Sequence, residues 1–212
     1  MVDERNRKAR YGKSDMRLCA GTLEEIPGHD SLWCYLDIGF SAANPSCGLL
    51  IGDHPPKEVL FSEARDALLS VCRSATDPIS IVIEAPLSVA FSPDGNPRGR
   101  SIEKRGAKTR YWHTGLGCVV LTAAGYIVCA LAELPDGPDI RLFEGFVSFK
   151  EKGKVSSHKD DVILLWDVVN GNSQNGQIVS PGDLTMADDD RIEGAFAVWG
   201  LDTGVPPVII GG

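Results

Sequence analysis

The run Leu32-Trp33-Cys34-Tyr35-Leu36-Asp37-Ile38-Gly39-Phe40 is the strongest strand signal in the chain. Aromatic and aliphatic side chains dominate it, which predicts a buried strand. Asp37 is its single charged residue, and an unpaired carboxylate is costly to bury. We therefore interpret Asp37 as a functional acid at the end of the first strand. The alternative is that Asp37 and Gly39 only form a turn where the strand ends.

The remaining periodicity predicts an α/β fold. Three initial strands that can form a meander are followed by alternating helices and strands, which favours a mixed five-stranded sheet with helices on both faces. The further predicted strands are 47–52, 58–61, 79–83 and 140–149; the predicted helices are 62–74, 114–132, 157–169 and 188–201; and 88–108 and 170–182 are predicted loops.

The segment from Thr114 to Ala132 carries no charged residue. It approaches the roughly 20 apolar residues that span a bilayer. The segment contains glycines and threonines, and the flanking segments have the pattern of a soluble α/β domain. Both observations favour a helix buried within the protein. A β-hairpin that turns at Ala124 and Gly125 is the other possibility.

Length and charge narrow the functional classes. A chain of 212 residues fits one domain, which we place at 31–212 after a polar N-terminal extension over 1–30. The net charge of −8 argues against a protein that coats nucleic acid by bulk electrostatics, but it leaves nucleases with acidic metal sites possible. The six cysteines lack metal-site spacing, and the charged start lacks a secretory h-region, so we expect a cytoplasmic protein with reduced cysteines.

Further acids fall where an active site would need them. Glu84 directly ends the apolar run Ile79–Ile83, so adjacent strand ends would bring Asp37 and Glu84 together. Such like charges repel unless a cation lies between them, and Mg²⁺ prefers oxygen ligands. In the predicted helix over 188–201, Asp190 and Glu193 share a face and complete the expected set. The alternatives are a solvent-facing Glu84 and an acidic run that only complements the helix dipole.

A local concentration of positive charge predicts a nucleic-acid contact. It lies on the loop that follows Glu84, and the aromatic residues 111–113 after it could stack on bases. The expected nucleic-acid-binding residues are Arg98, Arg100, Lys104, Arg105, Lys108 and Arg110. A solvated flexible loop is the alternative. His113 or His158 could assist proton transfer, although a lone histidine is more often an ordinary surface residue.

These motifs resemble the ribonuclease H-like superfamily, in particular its RuvC-type branch and a group of predicted RNase-H-like nucleases. LDIGFS is similar to the opening strand of that fold, IVIEAPLS to its fourth strand with the second acid, and DDDRIEGA to its closing helix. LFEGFVSF is similar to the fifth strand, and SSHKDDVILL to a Ser-x-Lys helix start. The resemblance covers about residues 32–200.

The resemblance implies an RNase-H-like nuclease that hydrolyses phosphodiester bonds of DNA or RNA. Asp37, Glu84, Asp190 and Glu193 become both the catalytic and the metal-binding acids, with Asp189 or Glu144 as substitutes for one of them. Such sites hold two metal ions, here Mg²⁺ or Mn²⁺, roughly 4 Å apart. The implied partner is nucleic acid, with a homodimer or a protein bound through the N-terminal extension as further possibilities and no membrane.

Two other functions fit parts of the sequence. The closing helix has Glu193 where relatives usually have Asp, which suits a catalytically inactive binding subunit of the same fold. Asp37-Ile38-Gly39 also resembles the phosphate-binding strand of actin-like phosphotransferases. Those enzymes usually have two such domains, and no second glycine-rich phosphate motif is found in this sequence.

Overall fold

A computed structural model describes residues 17–26, 31–41, 43–135, 137–149 and 157–211. Within these residues it contains three α-helices, α1 (Phe61–Ser74), α2 (Leu116–Ala132) and α3 (His158–Val169). The strands are β1 (Leu18–Ala20), β2 (Leu32–Asp37), β3 (Cys47–Ile51), β4 (Lys57–Val59), β5 (Ile79–Glu84), β6 (Ser88–Phe91), β7 (Pro97–Arg98), β8 (Lys104–Arg105), β9 (Lys108–Thr109), β10 (Ile140–Phe146), β11 (Gln177–Val179), β12 (Arg191–Gly194) and β13 (Val208–Ile210).

The main sheet is mixed and largely parallel. Its strands follow the order β11-β13-β10-β5-β2-β3-β4, and β1 pairs with β10 beside β13. Strands β2, β5 and β10 run parallel, while β3 is antiparallel to β2 and β4 to β3. The predicted α/β class with a mixed sheet is confirmed. The predicted count of five strands is too low, because β1, β11 and β13 extend the sheet to eight.

Helices cover both faces of this sheet, as the sequence predicts. Helices α1 and α2 pack on one face through residues such as Leu68 and Ile127, which lie in one hydrophobic cluster with Leu36 and Ile81. Helix α3 packs on the other face, where its residues join the alternate side chains of the same strands. The near-continuous apolar runs of β2 and β5 follow from this double burial.

The uncharged segment is a helix and not a hairpin. Helix α2 buries Ala124, Ile127, Val128 and Leu131 against the sheet. Among the described residues, no helix has the length and apolar character needed to cross a membrane.

Two predictions on the second half of the domain are wrong. Residues 88–108 are not a loop, because β6 and β7 form a second sheet with β12, and β8 and β9 form a hairpin. Residues 188–201 are not a helix, because β12 pairs antiparallel with β6. Ile192 packs in a third hydrophobic cluster between exposed Arg191 and Glu193, so this stretch has the two-residue period of a strand.

Strand β1 lies inside the segment that the sequence assigns to an N-terminal extension. Leu18 pairs with Ile140 and is buried in the main hydrophobic cluster. Residues 18–20 are therefore part of the sheet, while 1–16 and 27–30 lie outside the described residues.

Candidate metal centre

The ends of β2 and β5 bring two acids together. The strands are parallel neighbours, and their register pairs Asp37 directly with Glu84. The side chain of each acid follows the face that packs on α3, since Trp33, Tyr35 and Val82 are buried there. The predicted meeting of Asp37 and Glu84 is therefore what the sheet register produces.

The first turn of α3 forms the other wall of the site. Ser157 caps the helix: its hydroxyl accepts from the Asp160 amide at 3.2 Å, and the Asp160 carboxylate accepts from the Ser157 amide at 2.9 Å. This cap fixes the start of the helix, and His158 and Asp161, three positions apart, share one face.

Gly48 on β3 allows this helix to approach the sheet. A Cβ atom at position 48 would lie 2.0 Å from the carbonyl oxygen of His158, closer than any side chain can be accommodated. Because Gly48 is also the register partner of Asp37, the closest approach occurs beside that acid. A glycine at this point thus determines the distance between α3 and the carboxyl end of β2.

His158, Asp37 and Asp161 converge across the gap between helix and sheet. His158 Nδ1 lies 2.7 Å from Asp37 Oδ2. Each of the three side chains offers one ligand atom, and these atoms all lie within 4.8 Å of one another. Asp37 is 1% and Asp161 6% exposed, whereas the His158 side chain is 42% exposed. The site is thus buried on the acid side and open to solvent on the histidine side.

Glu84 belongs to the same group, which we call the acidic cluster (Asp37, Glu84, His158 and Asp161). Its pKa is raised well above the ordinary value, first because burial disfavours the charged form, then because Asp37 and Asp161 carry like charges and Asp37 hydrogen-bonds to it. The Val147 amide donates to Glu84 Oε1 at 3.1 Å and partly offsets this effect. Such a crowded group of acids is relieved when a cation binds between them.

The donor set suits a divalent cation. Carboxylate oxygens are the ligands of Mg²⁺ and Mn²⁺, while an imidazole nitrogen is better suited to Mn²⁺ and other transition metals than to Mg²⁺. Three carboxyl groups with one histidine therefore fit the predicted ion class and favour Mn²⁺ within it.

Asp190 and Glu193 lie elsewhere in the fold. Asp190 ends a turn in which its Oδ2 accepts from the Ala187 amide at 3.2 Å, and its Oδ1 lies 3.9 Å from the Arg98 guanidinium. Glu193 is exposed on β12, opposite Val89 of β6. Among the described residues, the possible metal-ligand group contains neither acid, because the helix that would have carried them is a strand. Asp189 is exposed on the same turn.

Arg100 and Glu144 are also placed differently from expectation. Arg100 is fully buried, with its guanidinium 2.7 Å from Glu144 Oε2 and 2.9 Å from Glu103 Oε1. Glu144 Oε2 further accepts from the Leu87 amide at 2.8 Å. In this Arg100 network (Arg100, Glu103 and Glu144) the arginine is an internal counter-ion and not an exposed surface cation, while Glu144 is buried and lies outside the possible metal-ligand group of the described residues.

The Arg100 network holds the basic segment, residues 98–110, against the rest of the domain. Glu103 Oε1 accepts from the Trp112 amide at 2.9 Å, and the Glu103 carbonyl accepts from the Arg110 amide at 2.8 Å. The predicted flexible-loop alternative is therefore wrong for this segment, which is an anchored hairpin. Its remaining cations are all exposed: Arg98, Lys104, Arg105, Lys108 and Arg110.

A pocket connects this basic segment with the acidic cluster. It has a volume of about 460 Å³, and Glu84 lines it together with Arg110, Tyr111 and the start of α2. Crevices at the carboxyl ends of strands are the usual ligand sites of open α/β sheets.

Asp161 is the member of the cluster that the sequence analysis did not select, and His158 was considered only as a possible proton carrier. The signal for both was available in Ser157-His158-Lys159-Asp160-Asp161, because a capping serine places the following acids in one helical turn. The competing run at 188–190 holds three acids, and its helical spacing with Glu193 and its resemblance to a closing helix favoured it.

Comparisons with known proteins found no match: no protein-family model, no curated sequence and no solved structure is significantly similar to the chain.

Proposed function

We propose that the protein is a divalent-metal-dependent nuclease with an RNase-H-like fold, which hydrolyses phosphodiester bonds of DNA or RNA. The observation that carries the proposal is the convergence of Asp37, His158 and Asp161 within 4.8 Å beside Glu84, at the carboxyl edge of the sheet. The sequence resemblance implies this location for Asp37, on the opening strand, and for Glu84, on the fourth strand of an RNase-H-like sheet.

Asp37, His158 and Asp161 would hold one ion, and Asp37 with Glu84 would hold the second. A divalent cation at such a site lowers the pKa of water and stabilises negative charge on a phosphoryl group. The chain itself contributes the burial of Asp37 and Asp161, which excludes water from the acid side. His158 contributes a ring that is open to solvent and oriented by Asp37.

The exposed cations of the basic segment support a polyanionic substrate. Arg98 lies on β7, and Lys104, Arg105 and Lys108 lie on the β8–β9 hairpin. Arg110, which follows β9, lines the same pocket as Glu84. In a chain of net charge −8, such a local concentration is where a phosphate backbone would bind.

The proposal is tested by metal titration and by cleavage. Metal-free protein is titrated with MnCl₂ in a calorimeter, and labelled single-stranded DNA, duplex DNA and RNA are incubated with Mn²⁺ or Mg²⁺. We expect Asp37→Asn to abolish cleavage and Asp161→Asn to weaken Mn²⁺ binding by about 100-fold or more. Glu193→Gln, which removes an acid outside the cluster, serves as the matched control and leaves both unchanged.

Each failure has a distinct meaning. Wild-type protein that binds no divalent cation and cuts none of the three substrates contradicts the proposal. Mn²⁺ binding that Asp161→Asn removes, without any cleavage, would identify the protein as the inactive binding subunit instead.

A further inference from the structure

In the described part of the chain, the polar floor of the pocket beside the acidic cluster holds no more positive than negative charge. Arg100 and Glu103 line it, both fully buried, and Glu144 is the second carboxylate paired with Arg100. One guanidinium therefore faces two carboxylates, and the Glu84 carboxyl adds a third acid to the wall. A phosphate group is disfavoured on such a floor, because the cation that the described residues place there, Arg100, is already paired with two carboxylates.

The walls of the pocket are apolar and partly aromatic. Phe146 and Val120 line it, and so does Tyr111. The Tyr111 ring is held by a parallel stack on His113, with ring centroids 5.3 Å apart, and by close contact with Gly99, where any Cβ would meet the ring. A volume of about 460 Å³ lies within the usual range for sites that enclose a small organic molecule.

Among the described residues, the exposed positive charge of the pocket lies at its rim. Arg110 lines the pocket and is exposed, and Lys108 precedes it on the hairpin. An apolar wall, a neutral-to-acidic polar floor and a cationic rim together match a nucleoside, whose base and sugar would enter while its phosphates stay outside.

We infer that this pocket binds one unstacked nucleoside of a nucleic-acid strand, next to the phosphate that the acidic cluster would cleave. The inference rests on the proposed function for the identity of the ligand as nucleic acid. Its consequence is a substrate class: single strands, or duplexes with an extrahelical nucleotide. A base inside a continuous duplex stays stacked and must be extruded at a free-energy cost before it enters an enclosed site.

The test measures binding by fluorescence anisotropy of a labelled single-stranded oligonucleotide, as DNA and as RNA, and of the same strand in a blunt duplex. EDTA is present throughout, so that metal binding does not contribute. Val120→Phe fills the pocket from α2, and Leu116→Trp narrows it from a lining position that is 68% exposed. Val119→Phe is the matched control, since Val119 is exposed on the same helix outside the pocket lining.

We expect Val120→Phe and Leu116→Trp to weaken single-strand binding by about tenfold or more, which is the scale of losing the packing of one base. We expect both variants to bind the duplex, through the exposed cations, as tightly as the wild type does. The control Val119→Phe should bind the single strand with wild-type affinity. Thermal denaturation checks that each variant is folded. If Val120→Phe is unfolded, the inference is tested by Leu116→Trp.

Two results overturn the inference: wild-type affinity for single strands in a folded Leu116→Trp protein, or a wild-type protein that binds the duplex as tightly as the single strand. Failure of the proposed function has another signature. A protein that binds single strands through the pocket but no Mn²⁺ contradicts the metal centre alone, whereas a Mn²⁺-binding protein indifferent to pocket filling contradicts the nucleoside site alone.

Discussion

The protein buries two groups of acids whose electrostatic surroundings differ. In the Arg100 network, Glu103 and Glu144 share one guanidinium at distances of 2.9 and 2.7 Å, and all three side chains are fully buried. In the acidic cluster, Asp37 and Asp161 converge with His158, and the pKa of the neighbouring Glu84 is raised well above its ordinary value by burial and by these acids.

The two groups of acids therefore have different roles: the Arg100 network stabilises the fold, and the acidic cluster is the proposed metal site. A permanent internal cation neutralises the acids of the Arg100 network and fixes the second sheet and the hairpin to β10. The acidic cluster keeps its acids crowded, and a cation bound from solution would relieve their repulsion. Active sites commonly carry a cost in stability.

The largest expected effect is the loss of the arginine between the two acids. Arg100→Met leaves Glu103 and Glu144 buried without their counter-ion, and we expect the free energy of unfolding to fall by about 3–5 kcal/mol. Urea denaturation measures the change. Arg98→Met, at an exposed position two residues earlier, should change stability by no more than about 0.5 kcal/mol. Equal effects of the two substitutions would contradict the role assigned to Arg100.

The contact of α3 with the sheet gives an intermediate effect. Gly48→Ala introduces a Cβ that would lie 2.0 Å from the His158 carbonyl oxygen, so the helix must move away. We expect a loss of about 1–3 kcal/mol in urea denaturation and weaker Mn²⁺ binding, because His158 and Asp161 move with the helix. Gly182→Ala is the control, since its Cβ would meet only Ser180 Oγ at 3.9 Å. Unchanged Mn²⁺ affinity in Gly48→Ala would show that Mn²⁺ binding does not depend on the position of α3.

The smallest effect has the opposite sign. In metal-free protein, Glu84→Gln removes a carboxyl group from the crowded cluster and can keep the acceptor for the Val147 amide. We expect the free energy of unfolding at neutral pH to rise by about 1 kcal/mol in EDTA. The same substitution at Glu144 should destabilise the protein, because it weakens the pair with Arg100. If both substitutions destabilise, the contrast between the two groups of acids is wrong.

Much of the main sheet could be predicted from the sequence. Strands β2, β3 and β5 are largely apolar runs, β10 is rich in apolar residues, and α3 has its capping serine, so local pattern and burial agree there. The prediction was wrong over 188–201, where Asp190, Glu193 and nearby small residues suggest a helix. Pairing with β6 and the packing of Ile192 outweigh that local preference, and neither contact is encoded within the segment.

Similar reasoning explains Arg100. Its neighbours Arg98 and Lys104 are exposed, and a run of cations is typical of a solvated surface. The buried position of Arg100 depends on Glu144, 44 residues away on another strand, so charge composition alone predicted the wrong environment.

The meeting of Asp37 and Glu84 follows from the sequence pattern. Both end apolar strands, and parallel neighbours bring their carboxyl ends to one edge, so periodicity and burial are sufficient. The completion of the cluster by His158 and Asp161, in place of Asp190 and Glu193, depends on how α3 packs on the sheet. His158 lies 121 positions from Asp37, and the close approach of α3 over Gly48 joins them. Such a contact is a property of packing between elements, whereas a strand-end acid is a property of one element.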